Sequence, residues 1–249
     1  KERLEIAGLS SDRADIIPAG AAVIARLAKH LGVDGAIVSG QGLREGLFYE
    51  EFLLRIARTN EIRLTPRPGG LELPPSIAFV PLVPNVRSLG IANIGYHYGI
   101  DWEHAQHVCH LALSLFDQLA HLHGYGPAER ELLAASAILH DVGVAVDYYR
   151  HHRHSAYLIE NADVPGYSHR EIALMALLVR WHRQGAPKPE AYGKMLGGSD
   201  RERLRKLAAI LRLAEDLERS RIQRISEVRC NISNSAISID ALTRGPAEA

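Results

Sequence analysis

Along residues 102–123 apolar side chains recur at the spacing of one helical face. Val108, Leu111, Leu115 and Leu119 follow each other every three or four positions, and His104 heads the stripe. The same period runs through Leu133, Ala137 and His140 in a helix expected over 127–141, with Asp141 about 100° further round. Ile172, Met175, Val179 and His182 mark another helix reaching 183, and Leu204, Ala208, Leu211 and Glu215 a long one reaching 222. Each stripe is apolar except where it carries an imidazole or a carboxylate towards the core. His110 instead shares a polar face with Ser114, Asp117 and His121, while Arg205, Arg212 and Asp216 fall on the solvated side of the last helix.

Start and stop signals bound these helices. A helix is expected over 86–98. Asp101 is placed to cap the helix that follows, and Pro127 suits the first turn of the next. A short helix is expected over 154–162. Ser168 with Glu171, and Ser199 with Glu202, match capping boxes. EVRCNISNSAISID, residues 227–240, alternates about Asn234-Ser235 as a β-hairpin would. The N-terminal piece reads differently: a helix over 12–31 stopped by Gly32, a strand AIVS at 36–39, and a helix over 44–57. This unit is too small to bury its own sheet, so it is expected to be the remnant of a larger α/β domain beginning before residue 1. Residues 59–85, rich in proline and glycine, read as a linker. The expected fold is therefore mostly α. It comprises an α/β remnant over 1–58, a linker over 59–85, and a helical bundle over 86–249 that ends in a β-hairpin.

Composition adds mainly exclusions. The 249 residues carry 29 basic and 29 acidic side chains, so no net charge draws the chain to DNA or to a membrane surface. No apolar run reaches spanning length, and KERLEIAGLSSD is not a signal peptide. Cys109 and Cys230 form no paired motif, as in a reducing compartment. A cytoplasmic location is the expectation. The 13 histidines are concentrated between His97 and His182, and they redirect attention to the polar ends of the stripes.

In AILHDVGV, residues 137–144, His140 and Asp141 are adjacent within an apolar run. Burying an unpaired imidazole or carboxylate sacrifices its hydration. Either the pair satisfies itself as a buried ion pair, or it holds an ion. His104, His140, Asp141 and Glu215 converge from separate helices, and nitrogen with carboxylate oxygen suits a borderline to hard divalent cation. The alternatives stay open at this point: hydrogen-bonded core histidines, and a Glu215 paired with an arginine such as Arg180.

The motif set resembles the HD superfamily of metal-dependent phosphohydrolases: a His, a His-Asp doublet and a late helical acid. More narrowly it resembles the C-terminal part of the exopolyphosphatase/guanosine pentaphosphate phosphohydrolase family. DRADIIPAGAAVIARLAKHLG and IVSGQGLREGLFYE are similar to the end of that family's actin-like core. HAQHV, ILHDVG, HHRHSAYLIENADVPGYSHRE, LVRWHR and LRLAEDLERS are similar to landmarks of its HD-like helical domain.

The resemblance implies chain-end hydrolysis of polyphosphate or of pppGpp between actin-like lobes, whose phosphate loops precede residue 1. On that footing the chain alone is not expected to hydrolyse polyphosphate, and Gly40 and Gly42 read as a tight turn. His104, His140 and Asp141 correspond to metal ligands. Glu215 stands at the late acid position, where aspartate is usual, with Asp216 beside it. His151 and His182 are further ligands if two ions bind, and His152 and His154 lie at the same mouth. The implied cofactor is Mn, Mg, Fe or Zn. Asp141, with His140, is the expected catalytic pair, orienting a water. Arg150, Arg153, Arg180 and Arg183 are expected to bind phosphate. His121 and His123 are expected to complement a helix dipole. The implied partners are polyphosphate or guanosine polyphosphate and a second copy of the chain. Two other readings remain: a non-catalytic polyphosphate- or nucleotide-binding and dimerisation module, and a self-sufficient HD-type nucleotide phosphohydrolase.

Overall fold

The computed structural model describes residues 11–35, Leu47, 86–233 and 236–243. The expected strand at 36–39, the helix at 44–57, the linker, Gly40, Gly42 and the turn residues Asn234 and Ser235 lie outside the described residues. The chain divides into two compact units, Lys1–Gly46 and Leu47–Ala249.

In the first unit the helix expected over 12–31 is split into α1 (Ser11–Ala14) and α2 (Ile17–Leu31). Pro18 explains the restart, because a residue without an N–H fits only the first turn of a helix. Gly32 ends α2 at φ 66°, and the Val33 N–H returns to the Ala28 carbonyl at 3.0 Å.

The second unit is helical, with a two-stranded antiparallel sheet at its end. It runs α3 (Val86–Tyr98), α4 (Trp102–Gln118), α5 (Ala120–His123), α6 (Pro127–Leu139), α7 (His151–Asn161), α8 (His169–Arg180) and α9 (Gly198–Leu217). The strands β1 (Ile225–Ile232) and β2 (Ile237–Thr243) follow. Short 3-10 turns cover Val142–Ala145 and Pro189–Met195. The expected stripes form the core: Leu111, Leu115, Leu133, Met175, Val179, Leu204 and Leu211 are all fully buried. α4 packs against α6, α9 and β1, and α8 packs against α6, α7 and α9.

Capping explains most boundaries. Asp101 Oδ1 accepts the His104 N–H at 3.1 Å, so the cap of α4 also fixes the first turn that carries His104. Ser168 and Glu171 form the expected box, with the Ser168 N–H donating to Glu171 at 2.8 Å. The box expected at Ser199 and Glu202 is displaced: α9 starts at Gly198, and Asp200 accepts the Gly197 N–H at 2.9 Å.

The helix expected over 102–123 breaks at Leu119. Its second piece curls so that His123 Nε2–H donates to the Phe116 carbonyl at 2.8 Å, while His123 Nδ1 accepts the Tyr125 N–H at 2.9 Å. His123 is therefore a buried joint between helices rather than an exposed partner of the dipole. His121 is exposed. Arg212, expected in solvent, donates to the carbonyls of Trp181 at 2.8 Å and Gly185 at 2.7 Å, fastening the loop after α8. Across the bundle Arg87 reaches Glu131 at 2.9 Å, Glu171 at 2.7 Å and the Gly166 carbonyl at 2.9 Å. Its guanidinium lies 3.9 Å from the centre of the Tyr167 ring.

Candidate metal centre

α6 ends at Leu139, and His140 and Asp141 occupy its C-terminal exit, both buried. The chain then turns tightly through Gly143. Its N–H donates to Ser155 Oγ of α7 at 2.8 Å, and a Cβ there would overlap the Ser155 nitrogen and the His151 carbonyl oxygen. Only glycine permits so close a backbone approach. This contact draws the first turn of α7, with His151, against the His140-Asp141 doublet. Arg150, at φ 61°, supplies the reversal that starts α7 there, so the helix expected over 154–162 begins at His151.

The polar ends of the stripes meet. His104 Nε2 lies 3.2 Å from His140 Nε2 and 3.9 Å from Asp141 Oδ2. Glu215 Oε2 lies 3.2 Å from His104 Nε2 and 3.1 Å from His140 Nε2. On the other side of the carboxylate, Asp141 Oδ1 is 3.0 Å from His151 Nε2, 3.8 Å from His182 Nε2 and 3.6 Å from His140 Nε2. The donor atoms form two triads, His104–His140–Asp141 and Asp141–His151–His182, each within 4.8 Å. Asp141 belongs to both.

Backbone anchors fix how the rings present themselves. Nδ1 of His140 lies 2.7 Å from the Ala137 carbonyl, Nδ1 of His151 2.9 Å from that of Tyr148, and Nδ1 of His182 2.6 Å from that of Val179. A carbonyl only accepts, so Nδ1 carries a hydrogen, and in its neutral form each ring turns a bare Nε2 inward, the form in which imidazole binds metal. Nε2 of His151 and of His182, Asp141 Oδ1 and Glu215 Oε2 are buried without an aligned hydrogen bond. Such orphaned atoms in a sealed interior are what a cation would satisfy. The residues present thus fit a divalent ion.

Electrostatics agree. Burial opposes ionisation of Asp141, but His140 beside it and the His151 ring 3.0 Å from its Oδ1 outweigh it and hold the carboxyl well below its usual range. Burial likewise works against Glu215, and the His104 and His140 rings, 3.2 and 3.1 Å from its Oε2, overcome it, so its acidity is also enhanced. Burial disfavours charge on His140, yet Asp141 and Glu215 together raise its pKa. His182 is pushed down to about 3, by burial first and by His140 second. The centre therefore combines ionised acids with an imidazole, His182, that is neutral near pH 7.

Helical phase separates Glu215, in the centre, from Asp216, which is exposed. The alternative pairing of Glu215 with Arg180 is replaced by its contacts with His104 and His140. Arg150, Arg153, Arg180 and Arg183 are all exposed. Three of them, Arg153, Arg180 and Arg183, stand close enough to His152 to disfavour its charge, after burial and His151. They make a basic rim beside His152.

The guanidinium in direct contact with the centre is one the sequence did not single out. Arg221 pairs with Asp141 Oδ2 and stands 3.5 Å from Asp101 Oδ2. Behind it lies Glu218, fully buried. Its Oε1 accepts the Gln223 N–H at 2.9 Å, and its Oε2 is 3.4 Å from His107 Nε2. His107 also meets the Ile225 carbonyl at 2.8 Å. The basic run RSRIQR after the last helical acid was the available signal, but periodicity ends with α9 and could not orient it.

Comparison with known proteins follows the same division of the chain. The profile of Ppx/GppA phosphatase, domain III, matches residues 86–242, and that of the Ppx/GppA phosphatase family matches residues 1–55. A guanosine-5'-triphosphate,3'-diphosphate pyrophosphatase of Vibrio vulnificus (strain YJ016) is 31% identical over 213 residues, 84% of this chain. The chain spans 38% of that relative's length.

Proposed function

The chain belongs to the Ppx/GppA phosphatase family, and from that premise we propose that it is the C-terminal portion of a phosphoanhydride hydrolase acting on polyphosphate or guanosine polyphosphate. In this reading residues 86–249 form an HD-like domain that holds a divalent ion, and residues 1–58 are the end of an actin-like domain joined to it by a linker over 59–85. The observation that carries the metal reading is the set of inward Nε2 atoms converging on Asp141, three of them anchored through Nδ1 to backbone carbonyls.

His104, His140, Asp141 and Glu215 would hold one ion, and Asp141, His151 and His182 would complete a second site. A bound divalent ion supplies charge for a phosphoryl oxygen and a water acidic enough to attack at neutral pH. Asp141, ionised and shared by both triads, orients that water, and His140 supports it through its anchored ring. Arg150, Arg153, Arg180 and Arg183 on the rim draw phosphate towards the mouth.

A second reading has one observation in its favour. Arg221 already occupies one oxygen of Asp141, as in a centre that binds a phosphorylated ligand without turning it over. Phosphate release from polyphosphate and from pppGpp, with Mn2+, Mg2+, Fe2+ or Zn2+, separates the two. Metal-dependent release abolished by Asp141→Ala supports hydrolysis here. Metal-dependent binding without release supports the binding module. Release unaffected by Asp141→Ala removes both roles from the centre. The same reading assigns the chain to the cytoplasm, supported by two unbridged cysteines, and to a homodimer, which sedimentation tests. Among the described residues no helix is long and apolar enough to cross a membrane.

A further inference from the structure

Arg221 stands at left-handed φ 56° and Gln223 at φ 51°, in a turn with no glycine to make that conformation easy. Such backbone is kept where its surroundings enforce it. Here the enforcing group is Glu218, buried completely and accepting the Gln223 N–H while facing His107. The outcome of that construction is the placing of one guanidinium. Arg221 projects over the centre, pairs with Asp141, approaches Asp101 and keeps 40% of its side chain exposed. It lines a cavity of about 450 Å³, open to solvent, together with Glu103, Ile222, Gln223 and Arg224.

Resting on the metal reading of the centre, we propose that Arg221 is a phosphoryl-binding residue held in reserve by Asp141, released to the ligand when a divalent cation takes over that carboxylate. Asp141 is the only acid common to both donor triads. A cation in either triad competes with the guanidinium for it. A guanidinium freed in this way has the planar fork that matches phosphate oxygens. Without the cation, the negative charge of Asp141, Glu215 and Asp101 bears on Arg221 and repels a phosphate. Metal and phosphoryl ligand therefore promote each other's binding, whereas metal and Arg221 oppose each other. The site is distinct from the basic rim at Arg150, Arg153, Arg180 and Arg183, because Arg221 approaches from the turn after α9 rather than from α7 and α8.

The test is calorimetric titration of the 249-residue chain with Mn2+ and with inorganic tripolyphosphate, each alone and in the presence of the other. In the wild type tripolyphosphate binds about tenfold more tightly with Mn2+ present, the scale of one charge-assisted pair. Arg221→Ala binds Mn2+ more tightly than the wild type when no phosphate is present, and binds tripolyphosphate about tenfold more weakly when Mn2+ is present. Arg221→Lys, which keeps the charge without the fork, restores wild-type Mn2+ affinity but only part of the tripolyphosphate affinity. A purely structural role would move both affinities of Arg221→Ala in the same direction, and that result, or no change in either, overturns the proposal while leaving the metal reading intact. Where Mn2+ does not bind, the titrations are run with Mg2+, Fe2+ and Zn2+, and failure of the wild type to bind any of the four overturns both.

Discussion

Nε2 of His151 lies 3.0 Å from Oδ1 of Asp141, and one glycine makes that approach possible. The turn that leaves the His140-Asp141 doublet folds back through Gly143 onto the start of α7, where no β-carbon fits between the two backbones. Half of the centre is thus assembled by a local turn, and the other half by the long-range packing of α4 and α9 on α6.

Gly143→Ala is the most direct perturbation of the local half. The added methyl overlaps backbone atoms rather than a movable side chain, so destabilisation of about 1–3 kcal/mol or more is expected from overpacking, read as a lower urea midpoint. Metal affinity should fall as well, because His151 is displaced. Ser155→Ala adds no bulk but strands the buried Gly143 N–H, and should lose about 1–3 kcal/mol. Unchanged unfolding midpoints in both variants would contradict this account of the turn.

His182 should remain a neutral imidazole with its hydrogen on Nδ1 throughout the range in which the protein is folded. Burial, then His140, push its pKa down to about 3, whereas an unfolded histidine titrates near about 6.5. Below about pH 6.5 the unfolded chain takes up a proton that folded His182 refuses, so this residue lowers stability progressively as pH falls from there towards 3. Proton–nitrogen correlation spectra at successive pH values report the tautomer and the titration. A His182 signal that titrates near pH 6.5 in the folded protein would contradict the geometry.

Arg87 predicts a different pH dependence. Burial works against the Glu171 carboxylate, but the hydrogen bond from Arg87 and those from Ser168 outweigh it and depress its pKa. Stability from a depressed carboxyl is complete above the unfolded value of about 4.3 and fades as pH falls through the folded one. Arg87→Ala should therefore destabilise by about 1–3 kcal/mol near neutrality, through lost charged hydrogen bonds and the stacked Tyr167 ring. The gap to the wild type should narrow below about pH 4. A gap that stays constant into acid would show that packing alone explains the effect.

The convergence of His104, His140, Asp141 and Glu215 was legible in the sequence because each lies within a helix or directly at its end, where the apolar period still fixes its direction. Even the choice of Glu215 over Asp216 follows from phase. His151 was legible only through resemblance, since its placement depends on the Gly143 turn and on Arg150 taking a left-handed conformation, neither of which has a periodic signature. Arg221 was not legible for the same reason: it lies past the end of α9, in a turn enforced by Glu218, where side-chain direction depends on tertiary contacts. The helix ends that differ from expectation share a further cause. His123 and Asp200 satisfy backbone groups at positions that sequence spacing assigns to other residues or to solvent.

Metal loading should also release protons. His140, whose pKa is raised by Asp141 and Glu215 against the effect of burial, must surrender the Nε2 hydrogen of its charged form to bind a cation. Affinity for Mn2+ should therefore rise with pH across the general histidine range of about 5 to 8, and the heat of binding should vary with buffer ionisation enthalpy. A buffer-independent heat across that range would argue against ligation through His140.

The central claim is that buried imidazoles and carboxylates gather around Asp141 to hold a divalent cation. Elemental analysis after equilibrium dialysis of a metal-stripped preparation against Mn2+, Fe2+ and Zn2+, for the wild type, His104→Ala, His140→Ala and Asp141→Ala, tests it most directly. The account predicts at least one tightly bound ion per wild-type chain, none in Asp141→Ala, and reduced loading in the two histidine variants, all with native circular dichroism. Equal metal content in the wild type and Asp141→Ala, or none in a well-folded wild type under any of these conditions, would contradict it.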